Sequence, residues 1–391
     1  MTAAIIASAV RTPISTSRKG SLANIPAEEL ARVVLNAAIE RSNLSPDLID
    51  DVIFAESLYG GGALARHAAV EAGLAHVAGV AVNRHCAGSL AALGFAAGAI
   101  VSRMERAVVA GGVQSFSTGP LMRYRKPGTA DEFQEHWIPP THPNTPEAPN
   151  RDMSISVGWN TAKEVGLTRE DMDAWAVRSH QRAIAAIDAG RFVEEIAPVQ
   201  IRQSDGDAKA FTVDEYPRRD SSLEKMASLK VLHPEIEGFS ITAGNSSGIN
   251  DAAAALMVVS DELGATEGLQ PLARVRAWTA IGITPARMGL AVIDVIPKLL
   301  KRAGVTQSDV ALWEINEAFA SVPLAACRRL GIDEETVNIN GSGCSLGHPV
   351  AASGARMVTT LIHDLRRRGG GLGVAAMCAG GGQAGAVLIE V

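Results

Sequence analysis

The chain reads as a layered α/β protein built on a duplicated plan, with an irregular segment inserted into its first half. Three observations predict this. Short apolar runs of strand length alternate with helical stretches towards both ends of the 391-residue chain. The alternation fails between 119 and about 240, where proline-rich stretches such as WIPPTHPNTPEAPNRD dominate. VNRHCAGSLAAL in the first half is echoed by VNINGSGCSLGHPVAASGARMV in the second, each a strand, a small-residue turn and a helix of small residues.

Taken in order, AAIIASAV is a short apolar strand closed by Pro13. Pro26 with Glu28 and Glu29 opens a helix that continues through Leu35 and Ile39. DVIFA, GVAVN and RAVVAGG are further strands, the second feeding the helix after Cys86. Within the irregular segment one helix is clear, from Thr168 through Trp175, Val177 and Ala183 towards Ile187, with Thr168 and Asp171 placed to cap it. Residues 251 to 259 predict a helix and PLARVRAWTAIG a strand. Residues 290 to 303 predict a helix, ALWEINEAFA a strand running into a helix, and TVNINGSG a strand exit. A long helix over 351 to 368 precedes two closing strands, GLGVAAMCAG and GAVLIEV. The expected organisation is an α/β half over 1–118, a loop domain over 119–240, a return to the first half over 241–268, and a second α/β half over 269–391.

Composition narrows the function classes. Hydrophobic residues make up 47% and charged residues 20%, ordinary for a globular protein, and the net charge of −6 argues against nucleic acid as a partner. The cluster Arg123-Tyr124-Arg125-Lys126 would still suit a phosphorylated small molecule. No apolar run approaches membrane-spanning length, and the N-terminal residues lack the basic start and long apolar core of a signal peptide. A reducing, cytoplasmic location is expected. The four cysteines, Cys86, Cys327, Cys344 and Cys378, show no CxxC spacing and there is no HExxH, so no metal site is expected. Many of the 38 glycines gather in NGSGCSLGHP and CAGGGQAG, where flanking apolar runs suggest backbone packed close to a ligand.

Taken alone, Cys86 reads as an ordinary packed thiol. Its place just before a helical run is nonetheless one that favours a thiolate. His85 is expected to point elsewhere. Three later segments shift the balance. His348, between Gly347 and Pro349 and just ahead of a helix, is suited to take a thiol proton. Asn316 and Glu317 are polar side chains at the end of an apolar run and need partners. Cys378 is a second thiol beside a glycine turn able to offer N–H donors to an oxyanion.

Together these segments resemble the thiolase family. The nucleophile segment, typically NRxCSSG, is Asn83-Arg84-His85-Cys86-Ala87-Gly88-Ser89; NEAFA stands at 316–320, GHP at 347–349, and the closing CxGGGxG at 378–385. TAGNSSGIND at 242–251 is similar to the pantetheine-facing loop. The resemblance covers essentially the whole chain and implies the family's five-layered α-β-α-β-α fold, with the loop domain covering the acyl and coenzyme A site. It implies a ping-pong acyltransferase in which Cys86 is acylated, His348 is its base and Cys378 moves protons at the acetyl-CoA carbon. Asn316 and His348 would form one oxyanion hole through a water, and the N–H groups of Cys86 and Gly380 the other. Ser247 would meet the pantetheine arm within a CoA-binding surface that includes Ala243, Ala318 and Phe319, Arg218 a phosphate, and Met153 the acyl pocket. The partners implied are acyl-CoA and CoA, with coenzyme A a co-substrate and no permanent cofactor. A homodimer, or a tetramer made as a dimer of dimers, is the implied assembly, and a β-oxidation multienzyme partner is compatible with it.

Departures are few. Ala87-Gly88-Ser89 permutes the small residues after the nucleophile, Ala252 and Ala351 stand where glycine is common, and Cys344 reads as structural. Asp152 stands where short-chain biosynthetic members carry a histidine, and the loop prolines and aromatics differ from a standard acetoacetyl-CoA pocket. A degradative 3-oxoacyl-CoA thiolase is therefore expected, ahead of an acetoacetyl-CoA-forming acetyltransferase and of a catalytically silent CoA- or lipid-binding relative.

Overall fold

The computed structural model describes residues 2–57, 59, 63–202 and 207–391. Its main strands are β1 (Ala4–Arg11), β2 (Asp51–Glu56), β3 (Ala78–Val82), β4 (Ala107–Gln114) and β5 (Asn250–Ser260) in the first half. The second half supplies β6 (Ala273–Gly282), β7 (Val310–Ile315), β8 (Leu372–Ala379) and β9 (Gln383–Glu390). The long helices are α1 (Ala27–Ser42), α2 (Leu64–Glu71), α3 (Gly88–Val101), α4 (Arg169–Asp188), α5 (Ala291–Ala303), α6 (Ser321–Leu330) and α7 (Ser353–Arg367).

The duplication is legible in the sheet. In the first half the order is β3-β2-β4-β5-β1, with β2 parallel to both neighbours and β5 antiparallel to both of its own. The second half repeats it as β7-β8-β9-β6, with β7 parallel to β8 and β9 antiparallel to both neighbours. The missing outer strand survives as one parallel bridge between Trp313 and Val337. The halves meet where Ile5 and Ile6 pair with Arg274 and Ala273.

Side chains alternate across these strands and sort the core into layers. On β8, Val374 and Ala376 join one apolar cluster with α5 and α6, while Ala375 and Met377 join another with α3 and α7. Helices α1 and α2 cover the far face of the first half-sheet. The resulting order is α1/α2, half-sheet, α3/α7, half-sheet, α5/α6. The two middle helices carry small residues because both half-sheets close on them; Ser89 and Leu90 of α3 sit against Gly354 of α7.

Several sequence expectations need correction. Residues 251–259 are not helical but lie within β5, all eleven of whose residues are buried between β1 and β4. An alanine-rich run has high helix propensity in isolation, and burial on both faces of a sheet overrides it. TVNINGSG is no strand exit: Val337 makes a single bridge after a turn at Glu334–Thr336. NEAFA is not helical either, since β7 ends at Ile315 and α6 starts at Ser321. The last helix starts at Ser353 rather than 351.

Between 119 and 240 the chain forms two small hairpins and α4, whose Thr168 and Asp171 make the expected reciprocal cap. A π-helical stretch, Ser154–Trp159, runs into a short α-helix, Asn160–Val165. Such stretches are rare and gather at functional sites.

Candidate active site

Cys86 sits in a short 3₁₀ turn, His85–Ala87, that leads straight into α3. The turn begins with His85 at a φ of 47°, a left-handed conformation that histidine adopts more readily than most residues. The backbone N–H of Gly380, just past the end of β8, lies close enough to the Cys86 sulfur to favour its thiolate. Burial pushes the Cys86 thiol up to about 11, while the hydrogen bonds from Gly380 and from its own backbone pull the other way. Cys378, on β8, is buried close enough for the Cys86 charge to be felt, and burial raises its thiol strongly.

His348 is placed by its surroundings on every side. Gly347 before it has a φ of 104°, and a Cβ there would lie 2.4 Å from Asn250, so glycine is required twice over. Asn250 Oδ1 accepts from the His348 backbone N–H at 3.1 Å. Ser353, in the first turn of α7, donates its hydroxyl to the Pro349 carbonyl at 3.0 Å. Its oxygen is therefore an acceptor for His348 Nδ1 at 2.6 Å, which assigns the proton to Nδ1 and leaves Nε2 as the basic nitrogen. Asn316 Nδ2 donates towards that Nε2 at 3.4 Å, and Asn316 Oδ1 is buried with no partner among the described residues. Burial, followed by the nearby Arg356 charge, lowers the His348 imidazole to about 3.

The residue beside Asn316 holds the surrounding backbone together. Glu317 accepts from Trp175 Nε1, Ser179 Oγ, Asn338 Nδ2 and the Cys344 backbone N–H, at 2.9, 2.6, 2.8 and 3.0 Å. Four donors satisfy this buried carboxylate without a cation and tie α4, the 338–344 turn and NEAFA into one unit. Residues 245 to 249 thread alongside: Ser247 N–H donates to the Ala318 carbonyl, Ala320 N–H to the Asn245 carbonyl, and Ile249 bridges to His348.

Cys86, His348, Cys378 and Gly380 line one cavity of about 440 Å³ together with Met153, Ser247, Ala318 and Phe319. Asn316 stands just behind, on His348. Arg218 and Ala243 are not in it. They line a neighbouring cavity of about 380 Å³ with Tyr216 and Lys225. The two adjoin at Gly248, where a Cβ would meet the Tyr216 ring at 2.5 Å. His85, expected to point away, also lines the first of these cavities, its ring packed on Gly380. The sequence reading missed the apolar lining residues Phe116, Ile138, Val157, Met288 and Val350, and the polar ones Thr141, Asn150 and Arg151. These come from loops and segment ends without a period to expose them. Among the described residues, no group of three His, Cys, Asp or Glu side chains is able to hold a metal ion, and no helix is long and apolar enough to cross a membrane.

Known proteins are similar to this chain along essentially their full length. An acetyl-CoA acetyltransferase of Cupriavidus necator is 39% identical, with all of both chains covered. A 3-ketoacyl-CoA thiolase of Bacillus subtilis is 35% identical, again with all of both chains covered. The crystal structure of the Bacillus anthracis acetyl-CoA acetyltransferase superimposes with a TM-score of 0.91 at 36% identity, covering 100% of this chain and 99% of that one. The family descriptions "Thiolase, N-terminal domain" and "Thiolase, C-terminal domain" match residues 4–262 and 269–391. With matches over nearly every residue and in both halves, the chain belongs to the thiolase family of acyltransferases.

Proposed function

We propose that the protein is a degradative thiolase, cleaving a 3-oxoacyl-CoA with CoA into acetyl-CoA and a shortened acyl-CoA. The observation that carries this reading is the shared cavity: two thiols, a neutral histidine and a glycine share it with apolar lining residues that include Phe116, Ile138 and Met153. Such a lining suits an acyl chain. The 3-ketoacyl-CoA thiolase named among the relatives supports the same direction.

His348 Nε2 takes the Cys86 proton as the sulfur attacks C3 of the substrate. Burial holds both groups neutral at rest, so transfer and attack proceed together. The Gly380 N–H, close to the sulfur, then meets charge developing on the C3 oxygen, with the Cys86 N–H as second donor. The C2–C3 bond breaks and its electron pair passes to C2 as an enolate, towards which Asn316 and His348 face. Cys378 gives C2 its proton and acetyl-CoA leaves. In the second half the Cys378 thiolate takes the proton of incoming CoA, whose sulfur attacks the acyl group. Cys86 departs as thiolate and recovers its proton from His348. Ser247 would guide the pantetheine arm, and Arg218 in the adjoining cavity would take a phosphate. The assembly proposed is a homodimer or a dimer of dimers, acting in the cytoplasm.

Purified protein given CoA and 3-oxoacyl-CoAs of increasing length, with loss of the enolate absorbance followed, tests the reading. Turnover should extend beyond acetoacetyl-CoA. Activity on acetoacetyl-CoA alone would favour the acetyltransferase direction, which the names of the Cupriavidus and Bacillus anthracis proteins also support. No turnover with any substrate would leave a silent binding protein.

A further inference from the structure

Asp152, singled out in the sequence as a departure beside Met153, has a definite partner in the structure. Its Oδ2 accepts from His233 Nε2 at 2.7 Å, and the other ring nitrogen, Nδ1, donates to Glu235 Oε1 at 2.8 Å. An imidazole with a carboxylate on each nitrogen satisfies both only as the imidazolium, since the neutral ring has one N–H to give. Hydrogen bonding to Glu235, then to Asp152, accordingly holds His233 above the ordinary histidine value. Among the described residues these two carboxylates are the charges facing the ring. Phe239 of the same loop stands edge-on to it at 4.9 Å, Lys163 lies over the Trp159 ring instead, and Arg151 gives its guanidinium to the His136 carbonyl.

The clasp joins two segments that border the cavity holding Cys86. On one side Asp152 leads into the π-helical stretch: its Oδ1 accepts from the Ser154 N–H at 3.0 Å and its carbonyl from Ser156 Oγ at 3.1 Å. Met153 and Val157 of this segment line the cavity. On the other side, the loop after His233 runs back beside the segment that carries Ser247. Val231 bridges to Thr242, Leu232 N–H donates to the Ile241 carbonyl at 2.9 Å, and Asn245 Nδ2 donates to the Ser240 carbonyl at 3.1 Å. The two sides also meet through Trp159 and Phe239, ring centroids 5.3 Å apart. An apolar contact of that kind is non-directional, whereas two hydrogen bonds to one ring fix a distance.

Building on the thiolase reading above, we propose that His233 is a positioning residue for acyl recognition: by clasping Asp152 and Glu235 it fixes Met153 relative to the pantetheine-facing loop, and so sets how tightly the pocket holds an acyl chain. His233 itself is not among the cavity's lining residues and leaves bond breaking to the groups that are. A histidine whose folded value is raised keeps its partners below the unfolded value, about pH 6.5, and loses them as pH rises through the folded one. The clasp is therefore closed in mildly acid solution and opens in the alkaline range.

Calorimetric binding of S-hexyl-CoA and S-methyl-CoA, thioethers that cannot be turned over, tests this beside steady-state kinetics with 3-oxohexanoyl-CoA. His233→Phe keeps a ring against Phe239 but offers neither carboxylate a donor. At about pH 6 it should weaken S-hexyl-CoA about threefold or more and raise KM by a similar factor, with kcat within about twofold. S-methyl-CoA, too short to fill the pocket, should bind both proteins alike. At about pH 9 the wild type should fall to the level of the variant. In an Asp152→Asn background the same substitution should add little. An equal loss for both thioethers, a gap unchanged across that pH range, additive effects of the two substitutions, or a fall in kcat with KM unmoved overturns the proposal and leaves the thiolase reading standing. Should the variants not fold, the wild type decides: S-hexyl-CoA must weaken relative to S-methyl-CoA as pH rises, and a constant ratio overturns the proposal. Thioether binding without turnover of any 3-oxoacyl-CoA overturns the thiolase reading, and the affinities still judge the clasp.

Discussion

At the scale of single residues, the candidate site holds Cys86 and His348 in their uncharged forms. Cys86 is raised by burial and His348 lowered by it, so the resting state is thiol and imidazole rather than an ion pair. Two measurements follow. Alkylation of Cys86 by iodoacetamide should keep rising with pH, about tenfold per unit, through about pH 9.5, because the thiolate fraction has not saturated there. A plateau near the ordinary thiol value would contradict the buried, neutral cysteine. His348 has a folded value depressed from 6.5 to about 3, so the unfolded chain binds its proton first on acidification. Its contribution to stability is fully present above about pH 6.5 and is lost as pH falls towards about 3. His348→Asn should accordingly lose less Tm than the wild type between neutral pH and about pH 4. An equal loss in both proteins would mean that His348 is not buried as neutral imidazole. The motif residues Cys86, Asn316, His348, Cys378 and Gly380 were legible in sequence because chemistry restricts their type. Asn250 lies in the 242–251 stretch and Ser353 just beyond GHP, but their task, holding the backbone of His348 and fixing its tautomer, appears only when distances are known.

At the scale of elements, the irregular parts of the chain are held by polar side chains rather than by apolar stripes. Glu317 is the strongest instance. Glu317→Ala would strip four donors of their acceptor at once and should cost about 3 kcal/mol or more, read by chemical denaturation. A loss under about 1 kcal/mol would mean that the donors find water or other partners. The loop above the cavity is stitched in the same way. His142 donates Nε2–H to the Ala148 carbonyl at 2.9 Å and accepts from the Thr141 hydroxyl, with Asn150 bracing both ends. Bonds of this kind leave no periodic trace, which explains why Thr141, Asn150 and Arg151 could not be picked out beforehand. Regular elements were easier. Helix α4 announced itself by its cap, and β8 and β9 by their apolar runs. The exception, β5, failed because eight successive buried positions filled with Ala, Leu, Met and Val carry neither a helical nor an alternating signature.

At the scale of the whole molecule, the repeated strand order places α3 and α7 back to back in the central layer. Each helix begins at a segment of the candidate site: the Cys86 turn leads into α3, and the His348 turn into α7. The Ser89 hydroxyl in the first turn of α3 accepts from the Ala355 N–H in the first turn of α7 at 2.9 Å. The echo between VNRHCAGSLAAL and VNINGSGCSLGHP was visible in the sequence. That it brings the two copies face to face was not, because pairing between halves depends on which faces the half-sheets bury. The layers are also clamped by charge: Arg11 of β1, fully enclosed, grips Glu195 and Asp214 from the inserted segment at 2.6 and 2.8 Å.

The chain crosses from one half to the other through Glu267, Gly268, Gln270 and Pro271, all exposed, with Leu269 alone tucked in. Nothing in the reaction needs that crossing to be covalent, because the meeting of α3 and α7 is what assembles the site. Cutting there should give two pieces, each lacking a partner for its own catalytic group and each inert. Mixed during refolding, they should recover turnover in step with a one-to-one complex on size exclusion. Such a split pair would turn the enzyme into a reporter of proximity, since the central layer forms only when both pieces are present. A one-to-one complex that stays inactive would show that the linker does more than connect.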